Sequence, residues 1–216
     1  MEVAIIGLGN FGGSLVRRLY ELGHEITALD LDEAAVNKVK DMCRQAVVGD
    51  ATDRSVLEEL GVGLMEAAVV SMGEHLGASI LATLHLKELG VKRIVSKAVS
   101  PEHEKILKRL GASQVVFPER EAAHRLAVSL TAPNLLEYLP LGKEFSVAEL
   151  APPAAMVGKS LAELDLRRRF GVSVIAVREL VPERTRLVIE PDYVVKDSDI
   201  LVVVGRQKDL ERLREL

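Results

Sequence analysis

The sequence predicts an α/β protein with a doubly wound parallel sheet and a second, small α+β domain at its C-terminal end. Two observations predict the sheet: short apolar segments alternate with helical patterns over the first half of the chain, and a glycine-rich turn joins the first segment to a helix. Parallel strands need crossover connections, which place helices on both faces of the sheet. The predicted strands are Val3–Ile6, Glu25–Asp30, Gln45–Val48, Ala67–Ser71, Arg93–Lys97 and Gln114–Phe117.

Helical patterns occupy the intervals between these strands, and a further helix follows the last one. Asn134–Pro140 is predicted as a short linking helix. We therefore expect a first domain at 1–132, a linker or crossover helix at 133–142 and a second domain at 143–216. The predicted helices are Gly12–Leu22, Asp32–Met42, Asp53–Leu60, Leu76–Leu89, Pro101–Leu110 and Glu119–Leu130.

Composition excludes several classes of protein. A net charge of −4 and an isoelectric point near 5.8 do not indicate a basic surface of the kind that binds nucleic acid. No apolar run reaches 18 residues, so membrane insertion is not expected. The first residues indicate a strand rather than a signal peptide, which favours a cytosolic location. The single cysteine, Cys43, excludes an internal disulfide and is interpreted as a structural thiol, and the five histidines lack paired metal-ligand spacing.

The glycine-rich turn directly after the first strand has the spacing G-x-G-x-x-G. Gly7 would allow the tight turn into the helix, Gly9 would let a phosphate approach the bare backbone, and Gly12 would let helix and strand pack closely. The N-terminus of the following helix offers unpaired N–H groups to an anion. This context predicts a Rossmann-like dinucleotide or adenosine-nucleotide site, with an empty turn of the same type as the alternative.

An acidic residue follows the second strand at the spacing that such sites use. Asp30 lies about 20 residues beyond the glycines, where a carboxylate binds the hydroxyls of the adenosine ribose. The same negative charge would repel the 2′-phosphate of NADP, so that cofactor is not expected.

Ligands of open parallel sheets bind at the carboxyl ends of the strands, where this chain has small and charged residues. The loop Asp50–Thr52 is interpreted either as a capped turn or as a lining for adenine. Ser71–Gly73 offers backbone donors, Lys97 offers a point charge for phosphate, and Glu119 adds a carboxylate. Each of these residues alone could equally be an ordinary surface residue.

The second domain is predicted to be rich in short strands and close to the lower size limit for an independent core. Its predicted strands are Phe145–Leu150, Val172–Val177, Arg186–Ile189, Tyr193–Val195 and Ile200–Val204, with one helical stretch through residues 161–170 and a last helix at Gln207–Leu216.

A cluster of apolar residues around the end of the first domain is expected to bury a surface between subunits, with packing inside one chain as the alternative. These residues are Val128, Leu130, Leu135, Leu136 and Tyr138.

Over nearly its whole length, the chain resembles the cytosolic regulatory subunits of bacterial potassium uptake systems of the Trk/Ktr type, within the group called regulators of potassium conductance. The order and spacing of several motifs carry the resemblance. They are Ile6–Gly13, Leu29–Asp32, Gly49–Thr52, Ala82–Leu89, Leu110–Glu119, Val157–Leu164, Gly171–Val177 and Asp197–Gly205.

The resemblance implies that an adenosine nucleotide binds the glycine loop, ATP or ADP in the first place and NAD or NADH as alternatives. Asn10 replaces an arginine that reaches the terminal phosphate in Ktr-type relatives, which weakens the expected discrimination of ATP from ADP. The residues assigned to the nucleotide are Gly7, Gly9, Asn10, Phe11, Gly12, Asp30, Leu31, Asp50, Ala51, Thr52, Ser71, Met72, Gly73, Lys97 and Glu119.

Two further ligands follow from the resemblance alone. Glu119 resembles the acidic residue that, in family members, holds a cation near the nucleotide phosphates between paired subunits. Arg167 matches an arginine that contacts cyclic di-AMP in the second domain of some members, whereas Ser173 replaces an asparagine of the better binders.

The function implied is that of a non-enzymatic sensor. Pairs of subunits would assemble into a ring at the inner face of the plasma membrane and gate a potassium transporter subunit of the TrkH/KtrB type. One alternative is an NAD-dependent oxidoreductase, but the chain has no Tyr-x-x-x-Lys pair and no histidine with an evident acid partner. Another is an adaptor of the same family that regulates a different channel or an antiporter.

Overall fold

The computed structural model describes residues 1–73, 75–131, 135–142 and 144–214. The chain forms two compact units, Met1–Arg120 and Glu121–Leu216, which are described separately. The domain boundary that the sequence predicts after residue 132 stays a prediction. Within the described residues, no helix combines the length and the apolar character that a membrane span requires.

The first unit contains the predicted six-stranded parallel sheet, in the order β3-β2-β1-β4-β5-β6. The chain first adds strands on one side of β1 and then moves to the other side with β4. This reversal creates the gap at which open sheets bind ligands. The strands are β1 Glu2–Ile6, β2 Glu25–Asp30, β3 Gln45–Val48, β4 Ala67–Val70, β5 Arg93–Lys97 and β6 Gln114–Val116.

Helices connect the strands of this sheet, and short polar side chains fix where several of them begin. Asp32 and Asp53 accept hydrogen bonds from the backbone N–H two residues ahead, both at 2.9 Å, and Ser100 caps a helix that starts with Pro101. The helices are α1 Asn10–Glu21, α2 Glu33–Asn37, α3 Arg54–Glu59, α4 Leu76–Glu88, α5 Pro101–Leu110 and α6 Pro118–Thr131.

Alternate residues of the central strand pack into two different cores, one on each face of the sheet. Ile6 belongs to a cluster with Leu57 and Leu86, whereas Ile5 belongs to a cluster with Val16. Each of these side chains is essentially inaccessible to solvent. The predicted doubly wound α/β arrangement is therefore confirmed.

The second unit is built on an antiparallel sheet in the order β10-β9-β11-β8-β7. One core cluster includes Leu150, Leu201 and Leu213, so the last helix covers the strands. The predicted second α+β domain is confirmed. The elements are β7 Leu135–Leu141, β8 Phe145–Leu150, α7 Leu161–Leu164, α8 Leu166–Phe170, β9 Ser173–Leu180, β10 Glu183–Arg186, β11 Asp199–Arg206 and α9 Gln207–Arg214.

The predicted linking helix between the two domains is wrong. Residues 135–141 form β7, which pairs with β8 through a turn at Gly142, where φ is +87°. A Leu-Leu-Glu-Tyr-Leu sequence suits a helix and an edge strand equally, and pairing with a partner strand decides between them. Residues 132–134 and 143 lie outside the described residues.

Four further predictions fail at the level of single elements. The helix expected over 32–42 is α2 followed by a 3₁₀ turn at Lys40–Met42. The stretch 161–170 is two helices, α7 and α8, because Asp165 adopts a left-handed conformation between them. The strands expected at 186–189 and 193–195 are replaced by β10, which ends at Arg186, and by an isolated bridge between Ser160 and Val194.

Candidate functional site

The turn after β1 lies where the sheet order reverses, and its glycines are under different steric conditions. Gly7 has a φ of +92°, and its N–H donates to the Leu29 carbonyl of β2 at 2.8 Å. A Cβ added to Gly12 would lie 1.9 Å from the Gly7 carbonyl oxygen, whereas one added to Gly9 would meet nothing within 4 Å. Neighbouring atoms therefore leave no room for a side chain at Gly7 and Gly12, whereas the backbone at Gly9 is open to a ligand.

The N-terminus of α1 follows directly, with Asn10 as its first residue. Gly9 caps the helix without a side-chain hydrogen bond, and the first turn contains no acidic residue. Asn10 is exposed, whereas Phe11 packs against the core. The free N–H groups and the positive end of this 12-residue helix therefore suit an anion at the position that the glycines leave open.

Asp30 performs a structural role that the sequence did not suggest. One carboxylate oxygen accepts from the Leu8 N–H within the glycine turn, and the other accepts from the Asp32 N–H at 2.9 Å. The carboxylate therefore holds the glycine turn against the end of β2, and its remaining lone pairs are free for ribose hydroxyls. The next predicted residue, Leu31, is exposed at the same edge.

The loop Asp50–Thr52 is shaped by its own hydrogen bonds. Asp50 accepts from both the N–H and the hydroxyl of Thr52, each at 2.8 Å. Ala51 is only 3% exposed and packs in the core, so only its backbone is available to a ligand. His85 on α4 lies with Nε2 3.1 Å from the Thr52 carbonyl oxygen and ties the loop to that helix. No sequence pattern indicates this role of His85, because the role depends on packing between α4 and the loop.

The loop after β4 meets both the glycine turn and the end of β5. The Ser71 N–H donates to the Ile6 carbonyl at 2.7 Å, and Met72 packs beside Gly7, where an added Cβ would lie 2.9 Å from Met72 Cγ. Gly73 lies under the Lys97 side chain, with Lys97 Cε 3.2 Å from a Cβ built on it. The structure thus brings the predicted residues of three strand ends to one edge of the sheet.

Lys97 and Glu119, both predicted for the nucleotide site, form an ion pair with each other through Nζ and Oε1. The Lys97 side chain is 14% exposed and the Glu119 side chain 69%. The hydrogen bond from the Lys97 ammonium holds the pKa of Glu119 below its usual range.

In this structure the Glu119 carboxylate pairs with a cationic side chain, and the cation site predicted at Glu119 stays a prediction. The described residues contain no cluster of three His, Cys, Asp or Glu side chains suited to a metal. Cys43 is also unsuited to reactive chemistry, since burial raises the pKa of its thiol to about 11.

Arg167 and Ser173, predicted for a ligand of the second domain, line one pocket of about 320 Å³ in the second unit. Asp165 also lines it, in its left-handed conformation with φ of 40°. The remaining wall is largely apolar, with Leu161, Ala162, Leu166, Val172, Val174, Ile189 and Pro191. A guanidinium beside apolar walls suits a ligand that combines a phosphate with a flat ring.

Comparison with protein families matches both units. Residues 3–118 match the TrkA-N domain and residues 146–216 the TrkA-C domain. Ktr system potassium uptake protein C of Bacillus subtilis is 40% identical over 99% of this chain and 96% of its own length. Ktr system potassium uptake protein A of the same organism is 35% identical over 98% and 94%.

Among solved structures, the GsuK channel bound to NAD aligns with a TM-score of 0.67 at 22% identity. The alignment covers 100% of this chain and 39% of the channel chain, and it supports the fold assignment.

Proposed function

The chain belongs to the Ktr- and Trk-type regulatory subunits of potassium uptake systems, and we propose that it regulates its transporter by sensing an adenosine nucleotide at the glycine-loop site. One observation carries the nucleotide proposal: Gly9 and the uncapped N-terminus of α1 leave an open anion position beside the Asp30 carboxylate. An anion held there by N–H groups, with a sugar hydroxyl on the carboxylate, is the contact pattern of an adenosine nucleotide.

Each residue of the site has a defined task in this proposal. The N-terminus of α1 binds the phosphates, Lys97 neutralises their charge, and Asp30 accepts hydrogen bonds from the ribose. Thr52 and the backbone of Ala51 line the adenine pocket. ATP and ADP are the first ligands to test, and NAD or NADH come next because the structurally similar GsuK channel was solved with NAD bound.

Regulation acts through differential binding rather than chemical turnover. A nucleotide shifts the equilibrium between two conformations only by the difference in its affinity for them, and couplings of about 1–3 kcal/mol per site are typical. No specific observation favours the oxidoreductase alternative, and the relative at 40% identity is a potassium uptake protein.

We propose a transporter subunit of the TrkH/KtrB type as the membrane partner, with the chain acting from the cytoplasmic face as a ring of dimers. Exposed leucines on α6 and β7 support pairing. They are Leu126, Leu130, Leu136, Leu139 and Leu141.

For the pocket of the second unit we propose cyclic di-AMP, with Arg167 on a phosphate. The Ser173 hydroxyl has fewer hydrogen-bonding groups than the asparagine of better binders, so weak binding is expected there.

Calorimetry with the full chain and ATP, ADP, NADH or cyclic di-AMP tests the proposal. Asp30→Asn keeps one acceptor oxygen and removes the charge, so nucleotide affinity should fall by about 10- to 100-fold, the usual value of a charge-assisted hydrogen bond. Asp41→Asn is the matched control, because Asp41 lies in the 3₁₀ turn after α2, and it should bind like the unmodified chain. Absence of binding by every adenosine compound, or equal binding by the Asp30 variant, would refute the nucleotide site.

A further inference from the structure

The segment between β10 and β11 forms part of the wall of the pocket in the second unit. We call residues 187–198 the strap, and its Ile189 and Pro191 line the pocket. All residues of the strap are described, and they form no helix or strand apart from an isolated bridge at Val194. The course of the strap is therefore set by its contacts with neighbouring elements.

Backbone hydrogen bonds join the strap to the start of α7. The Leu161 N–H donates to the Tyr193 carbonyl at 3.0 Å, and the Ala162 N–H donates to the Pro191 carbonyl at 2.8 Å. Both donors are first-turn N–H groups of α7, which have no partner within the helix. Because Leu161 and Ala162 also line the pocket, the strap and α7 form one connected wall.

Tyr193 connects the strap to the first residue of β11. Its hydroxyl donates to Asp199 Oδ2 at 2.8 Å, and the Lys196 N–H donates to the same oxygen at 2.8 Å. Asp199 is 2% exposed, and no donor among the described residues meets its other oxygen, Oδ1. A buried carboxylate with so few donors strongly favours keeping each of them. Burial and the bond to Asp199 raise the pKa of Tyr193, so the hydroxyl stays a donor at neutral pH.

A second carboxylate joins the two ends of the strap. Glu179 of β9 is paired with Asp199 in the register of the sheet. It accepts from Arg186, directly before the strap, and from the Lys196 ammonium at 2.6 Å. These bonds fix where the strap leaves β10 and where it approaches β11. The Tyr193 hydroxyl instead fixes the middle of the strap, next to the part that lines the pocket.

We propose that Tyr193 is a positioning residue for the ligand of this pocket, because its hydrogen bond to Asp199 holds the strap in the shape that receives the ligand. The inference rests on the proposed function, in which cyclic di-AMP occupies the pocket. Tyr193 does not itself line the pocket, so it acts through Ile189 and Pro191. A wall that is ordered before the ligand arrives loses less conformational entropy on binding.

Calorimetry with cyclic di-AMP and thermal melts, both on the full chain, test the proposal. Tyr193→Phe should lower the affinity by about 5- to 10-fold, the usual value of one hydrogen bond.

Tyr138→Phe is the matched control. The Tyr138 hydroxyl accepts from Ser146 at 2.6 Å in the same unit, and neither residue lines the pocket. Both variants lose one hydrogen bond of a tyrosine hydroxyl, so their melting temperatures should fall by similar amounts. Only Tyr193→Phe should lose affinity, whereas a purely structural role would weaken binding in both variants or in neither. Equal affinities of the two variants would overturn the proposal.

Hydrogen exchange tests the position of the strap without a ligand. The Leu161 and Ala162 amides donate to strap carbonyls, so both should exchange faster in Tyr193→Phe than in the unmodified chain and at an unchanged rate in Tyr138→Phe. Unchanged exchange in Tyr193→Phe would overturn the proposal. Absence of cyclic di-AMP binding by the unmodified chain would instead refute the proposed ligand, and the exchange of these two amides would then decide alone on the role of Tyr193. The two failures are therefore distinguishable.

Discussion

Gly9 and Gly12 stand three residues apart in one motif, yet the structure gives them opposite sensitivities. A methyl group at position 12 would lie 1.9 Å from a backbone oxygen that cannot move without breaking the turn, whereas one at position 9 would enter open space. The motif therefore combines a position that has no room for a side chain with one that is open to the proposed nucleotide.

Gly12→Ala is expected to destabilise the chain by more than about 2 kcal/mol, because overpacking against backbone has no cheap relaxation. Gly9→Ala should change the melting temperature by less than about 2 °C, since surface substitutions are usually within 0.5 kcal/mol. It should nevertheless weaken ATP binding at least 10-fold. Thermal melts and calorimetry on both variants check this. Equal melting temperatures, or unaltered ATP affinity in Gly9→Ala, would contradict it.

The sequence predicted the residues of this edge better than their roles. Glycine spacing and strand ends identify Asp30 and Lys97, because both follow from local pattern. That Asp30 also binds the Leu8 N–H, and that Lys97 is paired with Glu119, depends on side-chain directions in the packed sheet. The role of His85 was missed for the same reason. Contact between a helix and a loop produces no hydrophobic periodicity in either sequence segment.

At the scale of elements, the largest difference is β7, where an apolar pattern was predicted as helix and is an edge strand. The six strands of the first unit were predictable because short apolar segments alternate regularly with helical patterns there, and β1, β2 and β4 are largely buried. β7 lies outside that alternation, and its Leu136, Leu139 and Leu141 are exposed. Its state is fixed by hydrogen bonds to β8, which are non-local.

A buried carboxylate joins the strands of the second unit. Glu179 of β9 is 3% exposed, and it accepts from Arg186 of β10 and from the Lys196 ammonium at 2.6 Å. These hydrogen bonds lower the pKa of Glu179 from 4.5 to about 2. The unfolded chain therefore binds this proton more readily than the folded chain, and stability from this group is full above about pH 4.5 and declines as the pH falls toward 2.

Glu179→Gln should lower the free energy of unfolding at pH 7, and the difference from the unmodified chain should shrink as the pH falls from 4.5 to 3. Urea denaturation followed by tyrosine fluorescence reports on it, because Tyr138 and Tyr193 both lie in this unit. Glu183→Gln, on the exposed strand β10, is the control and should match the unmodified chain at each pH. A gap that keeps its size down to pH 3 would exclude the ion pairs as its cause.

At the scale of the whole molecule, the composition and the order of motifs sufficed to identify the family, because those features survive at 40% identity over the full length. They could not settle whether the apolar residues near the end of the first domain pack within one chain or between two. The structure answers for one of them: Tyr138 packs against the core of its own unit, and its hydroxyl accepts from Ser146 at 2.6 Å. The side chains of Val128 and Leu135 lie outside the described residues.

Leu130 and Leu136 remain candidates for a contact between two copies, since Leu130 is 75% exposed and Leu136 lies on the exposed edge strand. Exposed leucines on α6 and on β7 favour burial against the same surface of a second copy, as expected for a twofold dimer. The unmodified chain should therefore sediment as a dimer or larger assembly at micromolar concentration. Leu130→Glu should raise the dissociation constant of the dimer at least 10-fold, because a charge would be buried without a partner.

Leu64→Glu is the control: it makes the same change at a 90% exposed site in the first unit and should leave the mass of the assembly unaltered. Analytical ultracentrifugation decides the matter: a monomeric unmodified chain, or equal dissociation of both variants, would place these leucines outside any interface.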